Sequence, residues 1–384
     1  MTTTNSSSPW DISLETRKSE LFSAKKSGKK IALLLYPDEN KASSFRYRGY
    51  NIYQATKQSK AWQLIYFFTY ELDEVFKLAK EIDLLIFGRI TKWTPKLDEL
   101  AQTAKNAGAN VLQDLDDCIC GTYYIKDAFN LISPDFVDQE YWINTCANYE
   151  LISYLCDGFI VTNDYLGQKL SAVHDKKPYR VIKNFLNEEQ ISYSKELDGV
   201  SPKGDAFTIG YFSGSHTHTS DFEIIFPELM NFLDDHKDAK LRIVGYMPFP
   251  PAAEKYFNRG QIEFLPLVDF LTLQKLVSEV DVNLAPLDDN IFANCKSELK
   301  FYEAALVKTP TIASPTFAFK KSIKSGKTGF LCRPGEWYDT LQKLYDDTDL
   351  RNQVASSAYE YCLREYSPSS CLKEIEETYD FFAK

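Results

Sequence analysis

The chain has no run approaching the roughly 18–20 consecutive apolar residues that cross a bilayer, so an integral membrane protein is excluded as a reading. Its first residues, MTTTNSSSPW, hold neither the basic segment nor the apolar stretch of an export signal. Basic charge is in short supply: 44 Lys and Arg stand against 54 Asp and Glu, a net of −10. A protein that coats nucleic acid needs a basic surface, so nucleic acid is not an expected partner. Histidine is scarce, at four residues, and His216 and His218 have no third ligand near them in sequence. No metal site is therefore expected. None of the eight cysteines forms a CxxC pair, and Cys118-x-Cys120 is the closest spacing. They read as reduced thiols of a cytoplasmic protein rather than as disulfides or zinc ligands. No GxGxxG follows a strand-like run, which argues against a dinucleotide-dependent dehydrogenase. No internal repeat is present.

What the sequence does contain is alternation. Short apolar runs end at polar or turn residues, as in Lys30–Tyr36 (KIALLLY), 63–68, 83–87, 110–113, 158–162 and 180–182. Such runs suit strands covered on both faces, as in a parallel sheet. Helix-like segments separate them at 50–59, 72–82 and 96–107. A second series follows at 207–212, 241–245, 262–265, 281–285, 311–314 and 329–332, with helical patterns at 221–234, 271–280, 297–307 and 338–346. Ser220 and Glu223 have capping-box spacing, while Pro227 suggests a kink or a later helix start. Strand–helix alternation implies right-handed βαβ units. The expected class is α/β, with two Rossmann-like doubly wound domains facing across a cleft. Residues 1–28 read as a tail, 29–185 as the first domain, 186–205 as a polar linker and 206–366 as the second domain. The segment 367–384 is expected to form a helix that returns to the first domain. In it Leu372, Ile375, Tyr379 and Phe382 recur at intervals of three and four, after a break at Pro368.

Four segments contain candidate chemistry. In NCKSELKFYE, residues 294–303, Lys296, Lys300 and Glu303 are spaced to share one helix face. With a helix start near Lys296–Ser297, two lysines and free backbone N–H groups suit a diphosphate. Glu303 suits a ribose diol. The competing reading is a solvated charged face. In YFSGSHTHTSD, residues 211–221, Ser213, Gly214 and Ser215 form a small-residue turn between strand and helix, where a phosphate can approach backbone amides. His218 suits a phosphate or sugar hydroxyl, and a plain surface turn is the alternative. Arg46, Arg48 and Arg89 lie near the carboxyl ends of first-domain strands and suit an anionic ligand lining the cleft, or else cap helices. Asp114-Leu-Asp116-Asp117 ends another strand. Asp116 or Asp117 suits a hydroxyl-binding group or a general base, with an N-cap cluster as the bland alternative.

The segment with Glu303 and Lys308-Thr-Pro-Thr-Ile-Ala-Ser314 resembles the GT-B glycosyltransferases of family 4 (glycosyl transferases group 1). Members typically carry two glutamates eight positions apart, then a small-residue helix and a GxPVIAS-like strand. Glu303 matches the second glutamate, and Cys295 stands where the first would be. NCKSELKFYEAA is similar to a Lys-Ser-x-x-Lys-x-x-Glu version found in bacterial surface-polysaccharide glycosyltransferases. Val181-Ile-Lys-Asn184 is similar to the segment that leads into the GT-B linker. The resemblance spans most of the chain and is firmest over 205–335. It implies transfer of a sugar from a nucleotide-diphosphate sugar to a glycan or lipid-linked oligosaccharide acceptor. It also implies retention of the anomeric configuration, with no cofactor and no metal. The donor would contact Ser213, Gly214, Ser215, His218, Lys296, Ser297, Lys300 and Glu303. Asp116, Asp117 and Glu303 are the catalytic candidates, and an inverting reaction with an aspartate base stays open. A DxD run binds a divalent cation in GT-A enzymes, which have a single nucleotide-binding domain, unlike the two read here. The expected location is cytoplasmic, with at most peripheral association at the inner face of the membrane. A GT-B epimerase or phosphorylase, or a degenerate GT-B module that only binds a glycan or protein, are the alternatives.

Overall fold

The computed structural model describes residues 8–37, 43–118, 122–125, 139–198, 204–214, 219–247 and 249–383. Two compact units account for them. The first comprises the described residues up to 125, 139–185 and 368–383, and the second comprises Leu186–Ser367.

The first unit is a six-stranded parallel sheet. Its strands are β1 (Lys30–Tyr36), β2 (Trp62–Phe68), β3 (Leu84–Gly88), β4 (Asn110–Leu115), β5 (Gly158–Val161) and β6 (Tyr179–Val181). They lie in the order β2-β1-β3-β4-β5-β6. β1 and β2 pair in parallel register from Lys30 with Trp62 to Tyr36 with Phe68. Nearly every side chain of β1, β2 and β3 is buried, which is why these strands read as unbroken apolar runs.

The expectation of a tail over 1–28 is corrected. Residues Leu14–Lys26 form a helix whose buried face is Arg17, Leu21 and Ala24. The Arg17 guanidinium is buried against Glu71, at 2.6 and 3.0 Å, and donates to the Tyr66 carbonyl. An arginine in the middle of the buried face breaks the apolar periodicity, so the helix left little pattern in the sequence. The last helix, Pro368–Phe382, also belongs to this unit. Its Tyr379 ring packs edge-on against Trp62, 5.3 Å between centroids, and Trp62 Nε1 donates to Asp380. Ser367 is extended and Pro368 opens the new helix, since proline cannot continue the preceding one.

The second unit is also a six-stranded parallel sheet. Its strands are β7 (Thr208–Ser213), β8 (Lys240–Gly245), β9 (Ile262–Leu265), β10 (Val282–Ala285), β11 (Thr311–Ala313) and β12 (Phe330–Leu331), in the order β12-β11-β10-β7-β8-β9. Asp281 accepts from the Thr208 amide at 2.8 Å and fixes the start of β7 beside β10. The expected 221–234 helix is two pieces, Thr219–Glu223 and Phe226–Asp235, with Pro227 in the first turn of the second.

Within the polar stretch expected as a linker, Glu188–Leu197 is a helix of this unit. Asn187 caps it, and the Asn187–Gln190 capping box satisfies two N–H groups that the helix start leaves open.

The order in which strands are added to the second sheet reverses between β7 and β10. The chain builds outward from β7 to β9, then returns to the other side of β7 for β10. The carboxyl ends of two such strands frame the crevice where open α/β sheets bind ligands.

Candidate functional site in the second unit

At the carboxyl end of β7, Ser213 is buried and Gly214 is exposed. The neighbouring strand end is crowded against it: a Cβ on Gly245 would lie 1.8 Å from the Ser213 carbonyl oxygen, and Gly245 has φ +110°. Only glycine fits there. The Ser213 carbonyl accepts from the Tyr246 amide at 3.0 Å. Ser215 and His218 lie outside the described residues.

Beyond β10 the chain is pinned by short hydrogen bonds. Leu287 N donates to Ser314 Oγ at 2.9 Å, and Asp288 N donates to Asp221 Oδ1 at 3.1 Å. Asn290 caps the short helix Ile291–Cys295, and Asn294 Oδ1 accepts from Phe317 N at 2.8 Å. These contacts hold the segment that leads to Lys296.

The expected helical face is shorter than the spacing suggests. The helix spans Leu299–Leu306, not a segment from Lys296 or Ser297. Lys296 is extended, at φ −70° and ψ 153°, so it does not share a helical face with Lys300 and Glu303. The reason lies in Glu298, which occupies the N-cap, is buried, and accepts from Tyr366 Oη at 2.6 Å. That bond fixes the turn one residue before the helix. Lys296 instead places its ammonium 4.8 Å from the centre of the Phe292 ring. Cys295 is fully buried, so a side chain at that position points into protein rather than toward a ligand.

Lys300 is the residue that the site is built around. Its backbone carbonyl accepts from Asn283 Nδ2 on β10 at 3.0 Å, which ties the helix to the sheet. Its ammonium is buried 4.8 Å from the centre of the Tyr211 ring on β7. Among the described residues the ammonium has no hydrogen-bond partner. Burial pushes its pKa down to about 8, with Asp221 opposing that shift and Lys296 adding to it. A buried cation without a hydrogen bond is costly, and an anionic ligand would compensate it. Asp221 is itself buried. In the sequence Tyr211 and Asp221 only bound the small-residue loop, and no spacing marks them.

Glu303 lies one turn after Lys300 on the same helix. Its Oε1 accepts from Gln190 Nε2 at 3.2 Å. Gln190 sits in the segment read as linker, and no motif marked it. The helix ends on Lys308, which adopts φ +57°, and the Lys308 and Thr309 amides donate to Ala305 and Ala304. This left-handed turn feeds Pro310 and β11, the segment that matches the GxPVIAS-like pattern, with lysine in the position that usually favours glycine.

In the first unit the arginines divide into two groups. Arg48 is fully buried, and this corrects its reading as a cleft-lining anion binder. It donates from Nε and Nη2 to both oxygens of Asp114, each at 2.8 Å, and from Nη1 to Ile182 O and Asn184 Oδ1. A π-helical turn over Arg46–Tyr50 rotates it into the sheet end, and Gly49 leaves room for the Phe45 ring. Arg46 is likewise buried and stacks on Tyr47, with its guanidinium 4.3 Å from the ring centre. Arg89 closes β3 with φ +45° and donates to Asp116 Oδ1 at 2.6 Å. Asp116 raises the Arg89 pKa well above its ordinary range against the opposing effect of burial. Asp117 Oδ1 accepts from the Cys118 amide at 3.1 Å.

Among the described residues no group of His, Cys, Asp or Glu is arranged to hold a metal ion, and no helix is long and apolar enough to cross a membrane. Two doubly wound parallel sheets in one chain define the GT-B class of glycosyltransferase fold. Similarity to solved structures is extensive. HepE from Anabaena, in complex with UDP, is 16% identical over 92% of this chain and 100% of its own, with a TM-score of 0.61. A glycosyltransferase from Rickettsia africae is 13% identical over 93% of this chain and 99% of its own, at 0.62. Sucrose-phosphate synthase from Thermosynechococcus elongatus is 12% identical over 92% and 99%, at 0.60. No curated protein matches by sequence. Residues 207–347 match the family described as glycosyl transferases group 1. The match covers the strands and helices around Lys300 and Glu303.

Proposed function

We propose that the protein transfers a sugar from a UDP-sugar donor to a glycan or lipid-linked glycan acceptor, in the synthesis of a bacterial surface polysaccharide. The observation behind this is the buried Lys300 ammonium, without a hydrogen-bond partner among the described residues, beside the β7–β10 switch point. That is where a diphosphate would lie, and its charge would offset the cost of burying the lysine. The choice of UDP follows the complexes of HepE with UDP and UDP-glucose. In the reaction the anomeric bond to the diphosphate breaks and a bond to the acceptor oxygen forms. UDP leaves with the bonding electrons, and the acceptor proton passes to the departing phosphate oxygen. Lys300 and backbone amides at Gly214 would stabilise the charge that develops on the leaving group. Glu303 would accept from the ribose hydroxyls and hold the donor. Retention of configuration and independence from metal belong to this reading, as does a cytoplasmic site of action with at most peripheral membrane association.

Calorimetric titration with UDP, followed by a screen of UDP-sugars for hydrolysis with mass detection, tests it. UDP binding together with hydrolysis of at least one UDP-sugar is expected, unaffected by a chelator. A protein that binds no UDP and hydrolyses none is a degenerate module, and the proposal is then rejected. Loss of activity with chelator, restored by a divalent ion, overturns metal independence.

A further inference from the structure

We propose that Gln190 is a positioning residue for Glu303, an inference that rests on reading Glu303 as a donor-holding carboxylate. Gln190 is 1% exposed and belongs to the helix Glu188–Leu197, outside the motif that contains Glu303. Each polar atom of its side chain has one assigned partner. Its Oε1 accepts from the Asn187 amide at 3.4 Å, and its Nε2 donates to Glu303 Oε1 at 3.2 Å. A backbone N–H on one side and a carboxylate on the other fix which end of the amide faces which. The backbone of Gln190 is held as well: its N–H donates to Asn187 Oδ1 at 2.8 Å, and its carbonyl accepts from Gln274 Nε2 at 2.7 Å.

The consequence is a fixed carboxylate. Glu303 has rotatable bonds to spare, and a half-buried glutamate on a helix surface samples several rotamers at little cost. The N–H donor of Gln190, from a neighbouring, capped helix, restrains that rotamer. A glutamine is needed at 190 because a glutamate would present an acceptor to an acceptor. It would also place two carboxylates in one part-buried contact.

Four forms of the full chain test this: wild type, Gln190→Glu, Asn187→Ala, and Gln190→Glu combined with Glu303→Gln. For each, the kinetics of UDP-glucose hydrolysis and the thermal midpoint are measured. Gln190→Glu keeps an acceptor for the Asn187 amide but loses the donor to Glu303. It is expected to raise the donor KM about tenfold with kcat within about threefold, the pattern of lost ground-state binding. Asn187→Ala removes the cap and keeps the donor. It is expected to lower the midpoint while leaving the donor KM within about twofold, which separates positioning from general loosening of the helix. The combined variant restores an amide–carboxylate bond in the swapped sense. It is expected to recover at least about half of the midpoint lost in Gln190→Glu. An unchanged KM in Gln190→Glu, an equal rise in Asn187→Ala, or no thermal recovery in the combined variant overturns the proposal. A wild type that neither binds UDP nor hydrolyses UDP-glucose overturns the donor reading instead, and the thermal recovery alone then decides the Gln190–Glu303 contact.

Discussion

Arg48 holds Asp114 by two parallel hydrogen bonds of 2.8 Å, with both side chains out of contact with water. The two residues are 66 positions apart and meet at the end of the first sheet, where Arg48 also reaches Ile182 and Asn184. Removing one partner of a buried pair leaves the other charge uncompensated, at a cost of about 3–5 kcal/mol. Arg48→Ala is therefore expected to lower stability by that amount in denaturant unfolding. UDP affinity of the folded protein is expected to stay at the wild-type level. A variant with normal stability and weakened UDP binding would return Arg48 to the ligand site.

Lys300 gives a pH signature. Its folded pKa of about 8 lies below the ordinary lysine value of 10.5. The unfolded chain therefore binds more protons than the folded one between these values. The burial penalty is present in full below about pH 8 and fades as pH rises toward 10.5. Lys300→Met is expected to stabilise the protein at pH 7, with the difference from wild type closing by about pH 10.5. Urea unfolding across this range measures it, and a constant difference contradicts the assignment.

The same group predicts a proton uptake. A diphosphate beside Lys300 would favour the charged form, so UDP binding at about pH 8.5 should take up protons. Calorimetry in buffers of different ionisation enthalpy reads this directly. In Lys300→Met the uptake should vanish and UDP affinity should fall at least about tenfold, with uridine binding unchanged. Equal losses for UDP and uridine place the lysine away from the phosphates.

Glu303→Ala is expected to lower kcat/KM for transfer about a hundredfold. Hydrogen bonds to a charged acceptor contribute roughly 1.5–3 kcal/mol, and a misplaced donor adds to the loss. Circular dichroism should show an intact fold. Near-normal turnover would remove this helix from the donor site.

Truncation after Tyr366 removes the helix Pro368–Phe382 and with it the packing of Tyr379 on Trp62 and the bonds of Ser59 and Trp62 to Glu376 and Asp380. Amide exchange is expected to accelerate in β1 and β2 of the first unit. Faster exchange confined to residues 205–365 contradicts this.

All twelve strands were legible in the sequence, within one or two residues at their ends. For the inner strands the physical reason is that a strand buried on both faces has to be apolar throughout, and burial follows from a parallel sheet covered by helices, whereas the edge strands β6 and β9 are partly exposed. The group 1 motif around Glu303 was legible too, because the helix and the turn into β11 are local features. Helices whose buried faces include polar groups were not legible. Arg17 and Gln190 each occupy a core position through partners far along the chain, Glu71 in one case and Glu303 and Gln274 in the other. Tertiary structure also decided which charges are structural and which can face a ligand. Arg48, Arg89 and Lys300 all follow or flank strands in the sequence. Only the fold shows Arg48 paired with Asp114 and Arg89 with Asp116, while the Lys300 ammonium has no hydrogen-bond partner among the described residues. Spacing along a chain specifies which residues share a helix or strand. The partner of a buried charge is set by contacts between elements, which the order of residues alone does not contain.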